Sequence, residues 1–178
     1  MLPIGPLMVE HRLIERMIGV IRKKVERWEQ EQKIDPDFID EAVEFIRLYA
    51  DQCHHGKEED ILFRDLSKKS LPKDLKKTMD ELVEEHRQGR KTTLELVEAK
   101  SRYVRGDLEA LPSILDRLRF LIDFYPRHIE KEDQHFFRPI MDYFTAEEKE
   151  ALLQEGWEFD KNLIHQIFKA KVGRAEKE

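Results

Sequence analysis

Four of the chain's 7 histidines, His11, His54, His86 and His128, fall on apolar stripes that a helix would bury. Two of them open segments that echo one another. His54-His55-Gly56-Lys57-Glu58-Glu59-Asp60-Ile61-Leu62-Phe63 and His128-Ile129-Glu130-Lys131-Glu132-Asp133-Gln134-His135-Phe136-Phe137 share the register His-x-x-Lys-Glu-acid-x-x-apolar-Phe. Residues four apart lie one turn apart on one helix face. An imidazole and a carboxylate at that spacing can therefore grip one cation together. Glu58 and Glu132 would be costly buried charges without a metal or another partner. Imidazole with carboxylate and no thiolate suits iron, manganese or zinc rather than an iron–sulfur cluster. Several carboxylates also invite bridging between two ions. A rival bundle pattern, Glu-x-x-His, occurs once as Glu132-x-x-His135. Its partner would have to be Asp51-x-x-His54, with the shorter acid, so the twice-repeated His-x-x-x-Glu reading is preferred.

Four long helices must position these groups. The first is expected from about Pro6 to Gln30, with Leu7, His11, Ile14, Ile18, Ile21, Val25 and Trp28 on one stripe. The second runs from about Pro36 to Leu66, capped by Asp35, with Pro36 at its first position and Gly56 as a weak point. The third runs from about Pro72 to Tyr103, with Ser70 or a neighbour as its cap, and ends at Arg105-Gly106-Asp107. The fourth runs from about Pro112 to Tyr143, and Pro126 inside it predicts a kink just before His128. Counted from the intervening turns, the four histidines differ in height by only about 3 Å at a rise of about 1.5 Å per residue. Helices that alternate in direction would bring all four to one level. Thr145-x-x-Glu148 then reads as a capping box for a short helix to about Gln154. A break at Gly156, a further helix from Trp157 to Lys171 and a frayed end from Lys171 to Glu178 complete the expectation. The fold class is thus all-α: a four-helix bundle over residues 1–144 with a helical extension over 145–178.

Composition excludes other classes. The chain has 178 residues and a formal charge of −6 with both signs interspersed, so no basic stripe invites nucleic acid. No apolar run of about 18 residues is present for a membrane span. Met1 to Pro6 lacks a basic region followed by an apolar one, so no signal peptide is expected. The single cysteine, Cys53, permits no internal disulfide and fits a reducing cytoplasm.

The order His, His-x-x-x-Glu, His, His-x-x-x-Glu resembles the hemerythrin-like (HHE cation-binding) family from about Pro6 to Tyr143. The phrases Glu10-His11, Cys53-His54-His55-Gly56-Lys57-Glu58-Glu59, Glu85-His86-Arg87-Gln88-Gly89-Arg90 and His128-Ile129-Glu130-Lys131-Glu132-Asp133 carry that resemblance. It implies an up-down-up-down bundle and an oxo- or hydroxo-bridged pair of non-heme irons. It also implies binding of O₂ or another small ligand such as nitric oxide or peroxide, in sensing, stress response or redox handling. His11, His54, Glu58, His86, His128 and Glu132 are the expected metal residues. The O₂ carriers of the family have a second histidine four residues along the third helix, and here that position is Arg90. The missing donor could come from His55, from Glu15 one turn after His11, or from His135; otherwise one position stays open. The departure shifts weight from reversible O₂ carriage toward redox chemistry.

Several alternatives stay open at this level. In helix two, His54 with Glu58 is preferred, but His55 with Glu59 and Leu62 also forms a face. Manganese or zinc could replace iron. A diiron oxidase, peroxidase or nitric-oxide reductase, an iron-responsive interaction module built on the tail, and a metal-free bundle are the rival functions. The oligomeric state is open between a monomer and a homo-oligomer. Tyr49 and Tyr125 are core residues or hydrogen-bond donors near histidines, and Phe124, Phe136 and Phe137 would dry the site. Cys53 reads as a small core residue, and His165 as structural or exposed.

Overall fold

A computed structural model describes residues 1–175, with side chains described through residue 167. The chain is helical throughout, with no strand among the described residues. The first rod is α1 (Ile4–Glu31), with Pro3 at its N-terminus and Pro6 in its first turn. The second begins as α2 (Pro36–Phe45), where the Asp35 carboxylate accepts from the Asp37 and Phe38 amides as the sequence predicts. It continues through π-helical turns at Ile46–His55 and Glu58–Phe63 and closes at Arg64–Leu66. The third rod is α3 (Lys73–Val104). Its N-cap is Pro72 and no side chain caps it, so neither Ser70 nor a neighbour plays the expected role. Gly106, at φ 97°, makes the turn that follows. The fourth rod is α4 (Leu111–Glu130), continued by a π-helical stretch at Lys131–Phe136 and a last turn at Phe137–Ile140.

The π-helical turns follow from the spacing of the buried residues. Ala42, Ile46, Ala50, His54, Glu58 and Leu62 recur every fourth position and all lie within 3 % of full burial. An α-helix turns about 100° per residue, so a strict four-residue repeat drifts about 40° per step and about 200° over these five steps. Ala42 and Leu62 would then face opposite sides. Wider turns absorb the drift and keep one face pointed at the bundle axis. His128, Glu132, Phe136 and Ile140 impose the same repeat on the fourth rod. Pro126 interrupts α4 without ending it. The amide it lacks would have bonded the Ile122 carbonyl, and Arg22 Nη2 donates to that oxygen instead at 3.3 Å.

Two apolar clusters fill the bundle. One runs from Ile14 to Trp28 on α1 and takes in Ile39 to Ala50, Leu96, Ala99 and Leu111 to Ile129. The other gathers Ile4, Leu7, Ile61 to Leu66, Met79, Leu82 and Phe136 to Phe144. Each fully buried Ile or Leu contributes about 1.5–3 kcal/mol. Between the clusters lies a polar layer containing Glu10, His11, His54, His55, Glu58, His86, His128, Glu132 and Asp133, all buried.

The last element is α5 (Ala146–Ala175). The capping box forms: the Thr145 amide donates to Glu148 at 2.9 Å and the Glu148 amide to Thr145 Oγ1 at 3.2 Å. The expected break at Gly156 does not occur, and one helix replaces the two that were predicted. A lone glycine costs a helix only about 1 kcal/mol, and Leu152, Leu153 and Phe159 on either side of it pack on the bundle. The expected fraying from Lys171 onward falls where side chains are not described, and residues 176–178 lie outside the described residues altogether. Gly56 earns its place here: a Cβ on it would lie 2.8 Å from Phe159 Cζ. Gly56→Leu should therefore lift α5 from the second rod. Hydrogen exchange should rise over residues 150–165 while residues 14–28 stay protected; equal protection of 150–165 in both proteins would contradict this packing.

Candidate metal centre

The polar layer contains seven buried donor residues. Donor atoms of His11, His54, Glu58 and Glu132 lie within 4.8 Å of one another, and those of His55, His86 and His128 form a second such group. The two carboxylates join the groups. Glu58 places Oε1 3.3 Å from His54 Nε2 and Oε2 3.3 Å from His86 Nε2. Glu132 places Oε2 3.1 Å from His11 Nε2 and Oε1 3.4 Å from His128 Nε2. Each carboxylate therefore faces a two-histidine group with one oxygen and a three-histidine group with the other.

The histidine orientations are set from behind. The Nδ1 atoms meet carboxylates: His11 on Asp133 at 2.8 Å, His54 on Glu10 at 2.9 Å, His86 on Glu59 at 2.7 Å and His128 on Glu85 at 2.8 Å. An ionised carboxylate only accepts, so each Nδ1 carries the proton and, in the neutral ring, each Nε2 presents a lone pair inward. The acids form a closed circuit. Glu10 on the first rod backs the histidine of the second, Glu59 that of the third, Glu85 that of the fourth, and Asp133 on the fourth that of the first. Each acid also meets a cation from the rod it serves: Lys57 on Glu10, Arg90 on Glu59, Lys131 on Glu85 and Arg12 on Asp133. Burial works against ionisation of Glu59, yet His86 and Arg90 hold its carboxyl at about 2. The lysine in the repeated His-x-x-Lys motif is thus the cation of this circuit.

His55 stands outside the circuit. Its Nδ1 reaches Asp51 Oδ1 at 3.4 Å, and Arg90 Nε occupies the same oxygen at 2.8 Å. Its ring stacks on His86 with centroids 3.9 Å apart. Burial and the neighbouring His86 and His128 push its pKa well below the usual value. The sequence posed His54 and His55 as alternatives; the π-helical second rod buries both in the layer.

The inner atoms lack partners. His11 Nε2, His54 Nε2 and both oxygens of Glu58 and Glu132 are buried without a hydrogen bond. Lone pairs facing lone pairs at 3.1–3.4 Å repel unless positive charge lies between them. Protons are the weakest such charge. Burial opposes protonation, but Asp133 and Glu132 still raise His11 to about 10. Glu58 and Glu10 raise His54 to about 9 against the same burial, and Glu132 and Glu59 do so for His86. A metal cation answers the same demand with more charge and a fixed geometry, and the donor set suits iron, manganese or zinc.

Aromatic rings seal the layer. Phe137 stacks on His11, Phe124 on His128 and Phe63 on His86. Phe136 meets Phe63 edge-on and touches no histidine ring. The other nominated residues lie elsewhere. Glu15 is half-buried and pairs with Arg12, and His135 and His165 are exposed. Tyr49 stacks on Phe45, and neither it nor Tyr125 hydrogen-bonds a histidine. Cys53 is half-buried, with Sγ 3.4 Å from Asp160, and burial pushes its thiol up to about 12. Sequence reasoning missed the backing acids Glu10, Glu59, Glu85 and Asp133. Their signal was adjacency: each is the immediate neighbour of a buried donor.

An all-helical chain with a buried layer of this kind is a metal-cation-binding domain. Residues 2–140 match the hemerythrin HHE cation-binding domain, and the chain belongs to that family. Comparison with curated proteins and with solved structures finds no match. Among the described residues no helix is long and apolar enough to cross a membrane.

Arg90 sits where the O₂ carriers have a histidine, and here its guanidinium ties Asp51 to Glu59. Removing an outer partner of a metal-ligating histidine typically costs about 10- to 100-fold in affinity. Arg90→Gln should therefore weaken metal binding by about tenfold or more with helicity retained. Arg90→His should weaken it too, because it removes the brace. Competition titration against a chelator checks both, and tighter binding by Arg90→His would show position 90 to be a vacated ligand site instead.

Proposed function

We propose that the chain is a hemerythrin-like non-heme protein that holds two iron ions. His11 and His54 would hold one, and His55, His86 and His128 the other, with Glu58 and Glu132 bridging. The observation that carries this reading is the pair of partnerless buried carboxylates, each presenting one oxygen to each histidine group. Four rods alternating in direction over residues 1–144 would bring these donors to one level, with 145–178 as an extension. The free thiol of Cys53 suits a cytoplasmic setting.

Bound there, iron would supply reversible redox change and a site for O₂, nitric oxide or peroxide. The protein's own groups do the rest. The acid circuit holds the proton on each Nδ1 and aims each Nε2 inward. Phe63, Phe124 and Phe137 exclude water. The two-histidine group offers one fewer imidazole than the three-histidine group, so a metal held there would have more room for a small ligand. His55 would supply the donor absent at Arg90. These features support binding of a small ligand such as O₂, nitric oxide or peroxide, in sensing, stress response or redox handling.

Protein purified without air should carry close to two irons per chain and gain the near-ultraviolet absorption of a bridged ferric pair on exposure. Glu58→Gln with Glu132→Gln should abolish both. Metal content well below one per chain in the wild type, or unchanged spectra in the double variant, would refute this reading.

A second reading, an iron-responsive interaction module, has one specific support. Lys57, on Glu10 behind His54, also reaches Asp160 on α5 at 2.8 Å. Metal removal should then raise hydrogen exchange over residues 146–167 at least as much as over the bundle. Unchanged exchange there would leave the extension as packing alone.

A further inference from the structure

We propose that the exposed face shared by α1 and α5 is a peripheral docking surface for an anionic phospholipid bilayer, which it meets without crossing. The metal centre plays no part in this contact.

Apolar side chains are concentrated on this face. Of the ten large apolar residues exposed among the described residues, seven lie on α1, on the two residues before Pro3, or on α5. Val9, Leu13, Arg16 and Val20 span only about 60° around α1 at about 100° per residue. They lie opposite Leu7, Ile14, Ile18 and Ile21, which turn to the core. The fold leaves this stripe uncovered: Val9 is 71 % exposed and Val20 45 %. The edge of α5 lies alongside. Trp157 shares a cleft with Pro3 and Pro6, and Lys57 ties Glu10 of α1 to Asp160 of α5. The two helices therefore run side by side in one direction. About one turn further along them come Leu13 and Ile164, both exposed.

Charge, shape and the tryptophan favour lipid as the occupant. Residues 1–24 carry five basic side chains against two acids, although the whole chain stands at −6. Of those acids, Glu10 is buried and Glu15 pairs with Arg12. Arg16 in the stripe and Lys23 beside it are exposed and form no ion pair among the described residues. The acids at the edge of α5 are already answered, Glu158 by Lys161 and Asp160 by Lys57. Unpaired cations of this kind attract phosphate headgroups while their alkyl stems lie along apolar surface. The stripe is a convex ridge. The cleft beside it has a volume of about 30 Å³, the room of about one water, so it cannot receive the anchor side chain that a protein partner would insert. A fluid surface conforms to a ridge. Trp157, 45 % exposed, has the amphipathic ring that settles at headgroup level.

The test uses the full chain with vesicles of equal parts phosphatidylglycerol and phosphatidylcholine, and with vesicles of phosphatidylcholine alone. The chain should sediment with the first and not with the second, and less so as salt rises, because screening weakens the attraction. Of the 2 tryptophans, Trp28 is 4 % exposed and buried in the core, so a blue shift of emission on adding anionic vesicles reports Trp157. The shift should vanish in Trp157→Phe. Each cation near an anionic surface changes partitioning by about fivefold, so Arg16→Glu with Lys23→Glu should lower it by at least about tenfold. Val9→Asp with Val20→Asp should weaken binding without removing a cation. All four side chains are exposed, so circular dichroism and iron content should match the wild type in both variants. No sedimentation with anionic vesicles would overturn the assignment and leave the face to an acidic protein. Undiminished binding in both double variants would overturn it too. Iron content well below two per chain would refute the dinuclear reading and leave this surface standing.

Discussion

Five imidazoles and two carboxylates, buried at the axis of a helical bundle, set the terms for the rest of this protein. Taking each ionised carboxylate out of water costs several kcal/mol unless charge of opposite sign comes with it. Replacing buried ionic groups by well-packed apolar residues is often neutral or stabilising, so stability alone gives no reason for the layer. The layer is therefore evidence of a demand for positive charge, and its two halves ask for that charge at two places. The apolar clusters above and below it make the demand sharper, because they keep water from answering it.

The circuit of acids shows how the chain tolerates such a layer. Glu10, Glu59, Glu85 and Asp133 each lie between a histidine and a cation of the neighbouring rod. Every rod thus gives an acid to one neighbour and takes one from the other. This ties ring orientation to helix packing: a rod cannot rotate without unseating its own histidine and the next one. The π-helical turns belong to the same constraint. They hold a four-residue repeat in phase where an α-helix would carry Glu58 and Leu62 away from the axis.

Much of this was legible in the sequence, for identifiable reasons. Helix existence, the Asp35 and Thr145 caps, the turn at Gly106 and the common level of four histidines all follow from local rules and counting. The misses were of another kind. Gly56 and Gly156 looked like weaknesses because the helix that covers one and contains the other could not be seen edge to edge. The backing acids were missed, since their partners lie on other rods, 27 to 122 residues away. His54 and His55 looked like rivals because an α-helical phase was assumed. The strict spacing of Ala42, Ile46, Ala50, His54, Glu58 and Leu62 already contradicted that assumption.

Arg90 shows why a motif position has to be read with its neighbours. Against the O₂-carrier pattern it is an absent histidine. In the circuit it is the counterpart of Lys57 and Lys131, set four residues after His86 as they are set three after His54 and His128. Each circuit cation reaches a second acid, and that of Arg90 is Asp51, which sits behind the buried His55. The imidazole at position 55 and the guanidinium at position 90 are therefore coupled through one carboxylate oxygen of Asp51. A histidine supplied by the second rod needs a carboxylate behind it, and that carboxylate needs a cation, which the third rod provides. The fifth histidine is held more loosely than the other four, at 3.4 Å from an oxygen it shares.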